Sequence, residues 1–473
     1  MLFNSFTFVV FFVATYVLYW ASRHRLGVQN FLLLVASYVF YGAWDWRFLS
    51  LLMVSTAVDY TVGLQLHEAR SPGRRKMLLG ISLAANLGLL GFFKYFGFFA
   101  ENLVPLLARF GLSADAPTLN IILPVGISFY TFQTLSYTFD IYRGRLEPCR
   151  NLCDFALFVS FFPQLVAGPI ERASSLLPQI SSSRQPDSSQ INAGVFLLLW
   201  GFFKKIVIAD NVAVVANQIF NNSTDYTGVD LVVGVLAFTI QIYCDFSGYS
   251  DIARGIAKLM GFELMVNFKL PYFALNPSDF WSRWHVSLSS WLRDYLYIAL
   301  GGNRRGALRT NVNLMLTMLL GGLWHGAAWN FVLWGLFHGI ILVLYRIMDR
   351  HPEHASPWNS SYSRVRILAK MSLMFVLTLI GWVIFRADSA QQIWYFLSHP
   401  GFKLTTEGMS LARVVLICGA PLTIVQLAQY VSRDLLVLTR LPALVRLPLY
   451  TILLLSIATF AATKSEQFIY FQF

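Results

Sequence analysis

The sequence predicts an all-α, polytopic membrane protein, and three observations lead there. The 473 residues are 56% hydrophobic and only 13% charged, against about 25% charged in an ordinary soluble domain. Apolar residues gather into separated runs, whereas no stretch is long and polar enough for a second soluble domain. Basic residues cluster between those runs in the alternating fashion of cytoplasmic loops.

The runs fall at 6–21, 31–44, 48–64, 77–99, 121–141, 191–208, 229–245, 312–323, 327–345, 371–385, 411–430 and 447–463. A simple span needs about 20 residues, so we expect about 11–12 membrane helices, several of them tilted or broken. Irregular backbone at membrane depth requires burial inside protein. Re-entrant and interfacial pieces are therefore expected as well, within one integral-membrane domain over 1–473 that includes C-terminal helices at 387–473.

The first run follows Met1 to Asn4, which lack the basic region of a signal peptide. It reads as a retained span with its N-terminus outside. The groups Arg23/Arg25, Arg70/Arg74/Arg75/Lys76, Arg143/Arg145/Arg150 and Arg254/Lys258/Lys269 read as cytoplasmic. Segments 101–120 and 210–228, with Arg109 as their single Lys or Arg, read as loops on the opposite side.

The net charge of +12 follows from this bias. Nucleic acid is not an expected partner, because the basic groups form no binding motif. Cys149, Cys153, Cys244 and Cys418 show no zinc-type pairing, and neither a metal site nor a disulfide is expected.

Two segments interrupt the spanning pattern. Residues 161–172 are apolar and contain Pro163 and Pro169, so they cannot form one straight helix and read as a re-entrant loop. Lys204 and Lys205 follow an apolar run directly, and either snorkel to an interface or face a wet interior.

Between Arg309 and Arg346 the chain has no Asp, Glu, Lys or Arg, yet it holds His325 within Gly321-Gly322-Leu323-Trp324-His325-Gly326. A continuous helix over 310–345 would be about 54 Å long, against a hydrocarbon core of about 30 Å. Both flanks are basic: Arg304, Arg305 and Arg309 before, Arg346 and Arg350 after. The segment should fold into a hairpin with Gly321, Gly322 and Gly326 at the turn and His325 near the apex. An intramembrane imidazole is a functional candidate; the bland alternative is a polar pin between helices. For His338, in Trp334-Gly335-Leu336-Phe337-His338-Gly339, helix packing is sufficient explanation.

A second histidine sits after the helix start Asn276-Pro277-Ser278-Asp279. Trp281, Trp284, Leu288, Trp291 and Tyr295 recur at helical spacing, as do Ser282, His285, Ser289 and Arg293 on the opposite face. The segment is either an interfacial helix anchored by tryptophans or the polar wall of a passage that offers His285 to His325.

These motifs resemble the bacterial membrane-bound O-acyltransferase family, in particular its alginate O-acetylation branch. The resemblance is carried by Arg283-Trp284-His285, Trp291-Leu292-Arg293-Asp294-Tyr295-Leu296-Tyr297, Leu300-Gly301-Gly302-Asn303-Arg304 and Gly322-Leu323-Trp324-His325-Gly326. Tyr243-Cys244-Asp245-Phe246-Ser247-Gly248-Tyr249-Ser250-Asp251, Leu123-Pro124-Val125-Gly126-Ile127-Ser128-Phe129-Tyr130 and Gly168-Pro169 add to it. The likeness extends from the start to about Arg386.

It implies helices around a central funnel or tunnel in the bacterial inner membrane. It also implies transfer of an acetyl group from cytoplasmic acetyl-CoA toward an exported polysaccharide such as alginate. His325 would be the essential histidine and His285 the second, with no permanently bound cofactor. A periplasmic acetyltransferase or acceptor protein would be the partner, beside the polysaccharide and the lipid bilayer. Cellulose, peptidoglycan and teichoic-acid-type D-alanylation remain alternative acceptors. A transporter or a scaffold subunit is the competing class.

The chemistry would be attack of a hydroxyl on a thioester. A neutral imidazole, ordinarily titrating near pH ~6.5, is matched to removing the hydroxyl proton. His285 or the Trp324 indole would stabilise the oxyanion. Arg304, Arg305 and Lys269 are candidates for the phosphates of coenzyme A. Arg283 is a candidate tunnel residue. Asp245, with Asp251, would either orient a histidine or end a solvated loop.

Overall fold

Local caps, rather than hydropathy alone, decide where the apolar runs become helices. Ser5 accepts the Phe8 N–H and starts Phe6–Ala21; Ser71 accepts the Arg74 N–H and starts Pro72–Leu90 with Pro72 in its first turn. Asn151 and Ser389 cap Leu152–Ser160 and Ala390–Ser398 in the same way. The computed structural model describes residues 1–111, 121–166, 168–348, 364–399, 401–460 and 469. Among these it shows helices, turns and irregular backbone, with no strand. Eight of the helices are long and apolar enough to cross a membrane, and three shorter apolar helices accompany them. The all-α membrane architecture expected from composition is the one observed.

The contacts divide the chain into two compact units, Met1–Ile191 with Ile256–Met265, and Asn192–Gly255 with Val266–Phe473. In the first unit, Leu49–Glu68, Pro72–Leu90 and Ile127–Tyr142 pack on one another. Almost all of Ile127–Tyr142 is buried. Its helix begins at Ile127, six residues after the expected start, because Pro124 and Gly126 (φ +78°) break the run. A Cβ on Gly126 would sit 2.7 Å from Leu165 O.

The described residues of segment 161–172, all but 167, form a largely buried turn-back. Leu152–Ser160 ends, Phe162–Leu165 makes one turn with Pro163 inside it, and Ala173–Ile180 packs against Leu152–Ser160. Side chains satisfy the irregular backbone here: Gln164 Nε2 donates to Phe158 O at 3.1 Å, and Glu171 Oε1 accepts the Met265 N–H at 2.6 Å.

Two expected loops prove to be helical. Residues 96–109 continue the preceding span through a π-helical segment, Gly91–Tyr95. Asp210–Asn221 likewise continues Ser188–Phe202 through the π-helical segment Phe203–Ala209. Low basic content marks a region without flanking charges and says nothing against a helix. Residues 112–120 of the first loop lie outside the described residues.

In the second unit the same π-helical segment accounts for Lys204 and Lys205. Neither snorkels. Lys205 Nζ lies 2.8 Å from Asp210 Oδ1 and 2.9 Å from Asp245 Oδ1, with all three side chains buried. Lys204 Nζ lies 2.7 Å from Asp251 Oδ2 and 2.9 Å from Ser247 Oγ. Each amine is therefore neutralised inside the protein. Asp245 and Asp251 belong to the middle of helix Val229–Leu259 and end no loop.

This network needs the two helices close together, and glycines allow it. A Cβ on Gly201 would sit 2.8 Å from Gly248 O, and one on Gly255 would sit 2.8 Å from Gly194 O. The C-terminal helix Ala443–Phe460 exposes apolar side chains along most of its length, as lipid contact demands.

Removing one partner of a buried ion pair leaves an uncompensated charge, at a cost of about 3–5 kcal/mol. Lys205→Met should therefore lower the melting temperature of the detergent-solubilised protein sharply. Lys205→Met combined with Asp245→Asn and Asp210→Asn should recover much of the loss.

Candidate active site

All the side chains that converge here belong to the second unit, and the histidine hairpin is its framework. Gly306–His325 and Trp329–Met348 form antiparallel legs joined through residues 326–328. A Cβ on Gly322 would lie 2.2 Å from Phe331 O, and one on Gly335 would lie 2.4 Å from Met318 O. The legs touch backbone to backbone at these two glycines. The expected hairpin is present, with one correction: Gly321 and Gly322 are helical and serve packing, and only Gly326 lies in the turn.

His325 is the last residue of the first leg and is buried. Its ring centroid lies 5.2 Å from Trp324, 5.0 Å from Trp334 and 5.5 Å from Phe385, each nearly perpendicular to it. Phe385 arrives on helix Arg364–Arg386, where the Asn330 amide donates to its carbonyl at 3.0 Å. The ring thus stands at the hairpin tip inside an aromatic wall. His338 also meets Trp334, at 4.6 Å, with Trp281 at 5.0 Å and Phe280 stacked on it at 6.1 Å.

His285 is placed by a break in a helix. Periodicity alone reads 277–295 as one amphipathic helix, but the structure divides it into Pro277–Arg283, Val286–Trp291 and the π-helical segment Leu292–Tyr297. His285 falls in the gap with φ +45° and ψ +54°, a left-handed conformation that non-glycine residues rarely adopt. Asn267 straps the break. Its carbonyl accepts the Val286 N–H at 3.0 Å, its Oδ1 accepts the Ser287 N–H at 3.2 Å, and its amide donates to Ser250 Oγ at 3.3 Å. The interfacial reading fails here, because Trp284, Leu288, Trp291 and Tyr295 are buried in protein.

The break decides the chemistry of the ring. His285 Nδ1 accepts the Leu288 N–H at 3.2 Å as the N-cap of Val286–Trp291. A neutral imidazole has one donor and one acceptor nitrogen, so Nε2 carries the hydrogen. Burial lowers the pKa of this ring, outside the crossing helices, from 6.5 to about 3, which holds it neutral. His285 is therefore a hydrogen-bond donor at Nε2. Its ring packs on Phe246 at 4.7 Å and meets the Trp324 indole at 5.9 Å. The two histidines flank one indole.

The other candidates lie elsewhere. Arg283 is bound to Asp279 at 2.6 Å and reaches Lys269 O at 3.3 Å, which anchors the helix before the break. Asp245 belongs to the Lys205 network. Arg304 and Arg305 are exposed, immediately before the first leg, at its end remote from His325, and Lys269 is exposed. Arg350 lies outside the described residues. Asn267, Asn330 and Phe385 belong to the site but carry no motif signal, and for Phe246 and Trp334, which lie in quoted segments, only tertiary contacts reveal that they meet the imidazoles.

A helical membrane protein with two buried imidazoles about one indole, one ring a fixed donor, has the parts required for acyl transfer to a hydroxyl. Residues 149–385 match the model of the membrane-bound O-acyltransferase family; the chain belongs to that family and is an O-acyltransferase. It is 44% identical over 395 residues to a probable alginate O-acetylase of Pseudomonas putida, covering 82% of this chain and 78% of that protein. It is 37% identical over 424 residues to a peptidoglycan O-acetyltransferase of Helicobacter pylori, covering 83% and 78%. Identity to a teichoic acid D-alanyltransferase of Bacillus subtilis is 27% over 266 residues, covering 52% and 63%.

The cap and the donor at His285 can be separated by substitution. His285→Ala removes the cap, a loss of about 0.5–2 kcal/mol, and adds left-handed strain. His285→Asn keeps a cap acceptor and tolerates the backbone, so it should melt near the native temperature while activity falls. Between pH about 3 and 6.5 the unfolded ring binds a proton that the folded ring refuses. This contribution is complete above pH 6.5 and is lost as pH falls through the window. The Asn variant should accordingly show a shallower acid limb in a melting-temperature profile.

Proposed function

We propose that the chain moves an acetyl group from cytoplasmic acetyl-CoA across a bacterial inner membrane for O-acetylation of an exported polysaccharide such as alginate. A periplasmic acetyltransferase would be the partner that completes the transfer. The observation that carries this reading is the pairing of His325 with a donor-only His285 around Trp324. The choice of alginate is supported by several alginate O-acetylase relatives at 42–44% identity, above the 37% of the peptidoglycan enzyme.

In this mechanism His325 is the general base. It takes the proton of the acceptor hydroxyl as that oxygen attacks the thioester carbonyl carbon. Negative charge develops on the carbonyl oxygen, where the Nε2–H of His285 donates to it; such donors are worth about 10²–10³ in rate. The carbon–sulfur bond then breaks, and His325 returns its proton to the departing thiolate. His285 cannot act as the base, because its acceptor nitrogen is engaged by the Leu288 N–H. The aromatic wall of Trp324, Trp334 and Phe385 restricts water around the thioester. Exposed Arg304, Arg305 and Lys269 are the side chains assigned to the phosphates of the donor.

His325→Gln should reduce transfer by about 10²–10⁴-fold at unchanged membrane abundance, read as label moving from [acetyl]-CoA to polymer or acceptor protein. Full transfer by a normally abundant variant would remove His325 from the mechanism. Release of intact acetyl-CoA on the far side, without covalent label, would instead identify a transporter. Parallel assays with alginate oligomers and peptidoglycan fragments distinguish the acceptors.

A further inference from the structure

The first unit contains a buried carboxyl group that the transferase mechanism does not use. Asp59 lies at the middle of Leu49–Glu68, a helix apolar enough to cross a membrane, and is fully buried. Among the described residues its hydrogen-bond partners are neutral, and no Lys, Arg or His side chain approaches it. Asp59 Oδ1 lies 2.5 Å from Ser82 Oγ, and Oδ2 lies 2.8 Å from Asn86 Nδ2. Tyr137 is the titratable group facing it from Ile127–Tyr142, and its hydroxyl accepts the Cys149 N–H at 3.1 Å. From Pro72–Leu90 the facing groups are Ser82 and Asn86. On Leu152–Ser160, Asp154 is taken up by Asn30 at 2.8 Å.

The hydrogens of this cluster can be counted. The Asn86 amide spends its two on Asp59 Oδ2 and on Ser82 O at 3.0 Å. Asn86 Oδ1 accepts the hydroxyls of Ser55 at 2.7 Å and Thr134 at 3.2 Å. That assignment fixes the amide orientation. The Thr138 hydroxyl lies 3.0 Å from Thr134 O and 3.1 Å from Ser82 Oγ, and in the second contact either hydroxyl can be the donor. When Thr138 donates to Thr134 O, Ser82 can give its only hydrogen to Thr138. In that arrangement the short contact between Ser82 and Asp59 takes its hydrogen from the carboxyl group; in the other, Ser82 donates to the carboxylate.

We infer that Asp59, with Ser82, Asn86, Thr134 and Thr138, is a proton-binding site that joins Leu49–Glu68, Pro72–Leu90 and Ile127–Tyr142. With the proton bound, Asp59 donates to Ser82, Ser82 to Thr138, and Thr138 to the Thr134 carbonyl. When the proton leaves, the hydroxyls reverse: Thr138 donates to Ser82 and Ser82 to the carboxylate. One proton is gained or lost, and each oxygen keeps a partner. The Thr134 carbonyl alone loses its side-chain donor. Deprotonation leaves an unpaired negative charge among three buried helix faces, so the site holds the unit together when protonated and loosens it when not.

The test uses the full chain in detergent. Infrared spectroscopy of the wild-type protein should show a protonated carboxyl band at mildly acidic pH that disappears as the pH rises. Asp59→Asn, which imitates the protonated group, should lack that band, keep wild-type transferase activity, and melt at a temperature that no longer declines as pH rises. Thr138→Val frees the Ser82 hydrogen for the carboxylate, so the band should vanish at a lower pH than in the wild type. That variant assigns the band even if Asp59→Asn fails to fold. Absence of a band that Asp59→Asn removes, in the wild type at mildly acidic pH, would overturn the proposal. So would a rise in wild-type melting temperature when sodium replaces choline at fixed pH, which would make this a metal-cation site.

Discussion

The close approach of two helix backbones at Gly322 and Gly335 is the constraint on which the catalytic region rests. With side chains there, Gly306–His325 and Trp329–Met348 would be forced apart, because the built Cβ positions overlap carbonyl oxygens. At contact distance the legs bring Trp334 of one against His325 of the other. They also set Asn330 where it binds the Phe385 carbonyl. Two of the walls around His325, Trp334 and Phe385, therefore follow from two missing side chains.

The same economy of space recurs between Ser188–Phe202 and Val229–Leu259, where glycines let Lys204 and Lys205 reach their carboxylates. A π-helical segment adds a residue to the turn and points adjacent lysines inward, a local distortion frequently found at functional positions. The two units handle buried polarity differently. The second balances charge with charge; the first uses hydroxyls and an amide around one carboxyl group. Breaking a buried ion pair strands a charge, whereas the hydroxyls of the neutral network can reverse their direction around the carboxyl group.

Division of labour between the histidines comes from backbone geometry. His285 occupies a left-handed break that the Asn267 strap holds open, and the same break turns Nδ1 onto the Leu288 N–H. A ring with its acceptor nitrogen engaged can only donate. His325 instead stands at a helix end in the hairpin tip. Two identical side chains thereby acquire different capacities, as acyl transfer requires of a base and an oxyanion donor.

Much of this was legible in the residues themselves. Hydropathy and basic flanks specified a helical membrane protein, and the length of an uncharged stretch between arginines required a hairpin with His325 at its tip. These properties are local, and span length and charge placement read directly from order along the chain. Periodicity misread 277–295 as one helix, because a single left-handed residue held by Asn267 leaves the spacing of the flanking tryptophans intact. It also could not pair Lys205 with Asp210 and Asp245, or bring Phe246 and Phe385 to the two imidazoles. Those contacts join residues far apart in sequence, and their geometry depends on how closely helices pack. The chain by itself determined which groups are costly to bury; only the tertiary structure decided what each one is buried against, and hence which proton it can hold or give.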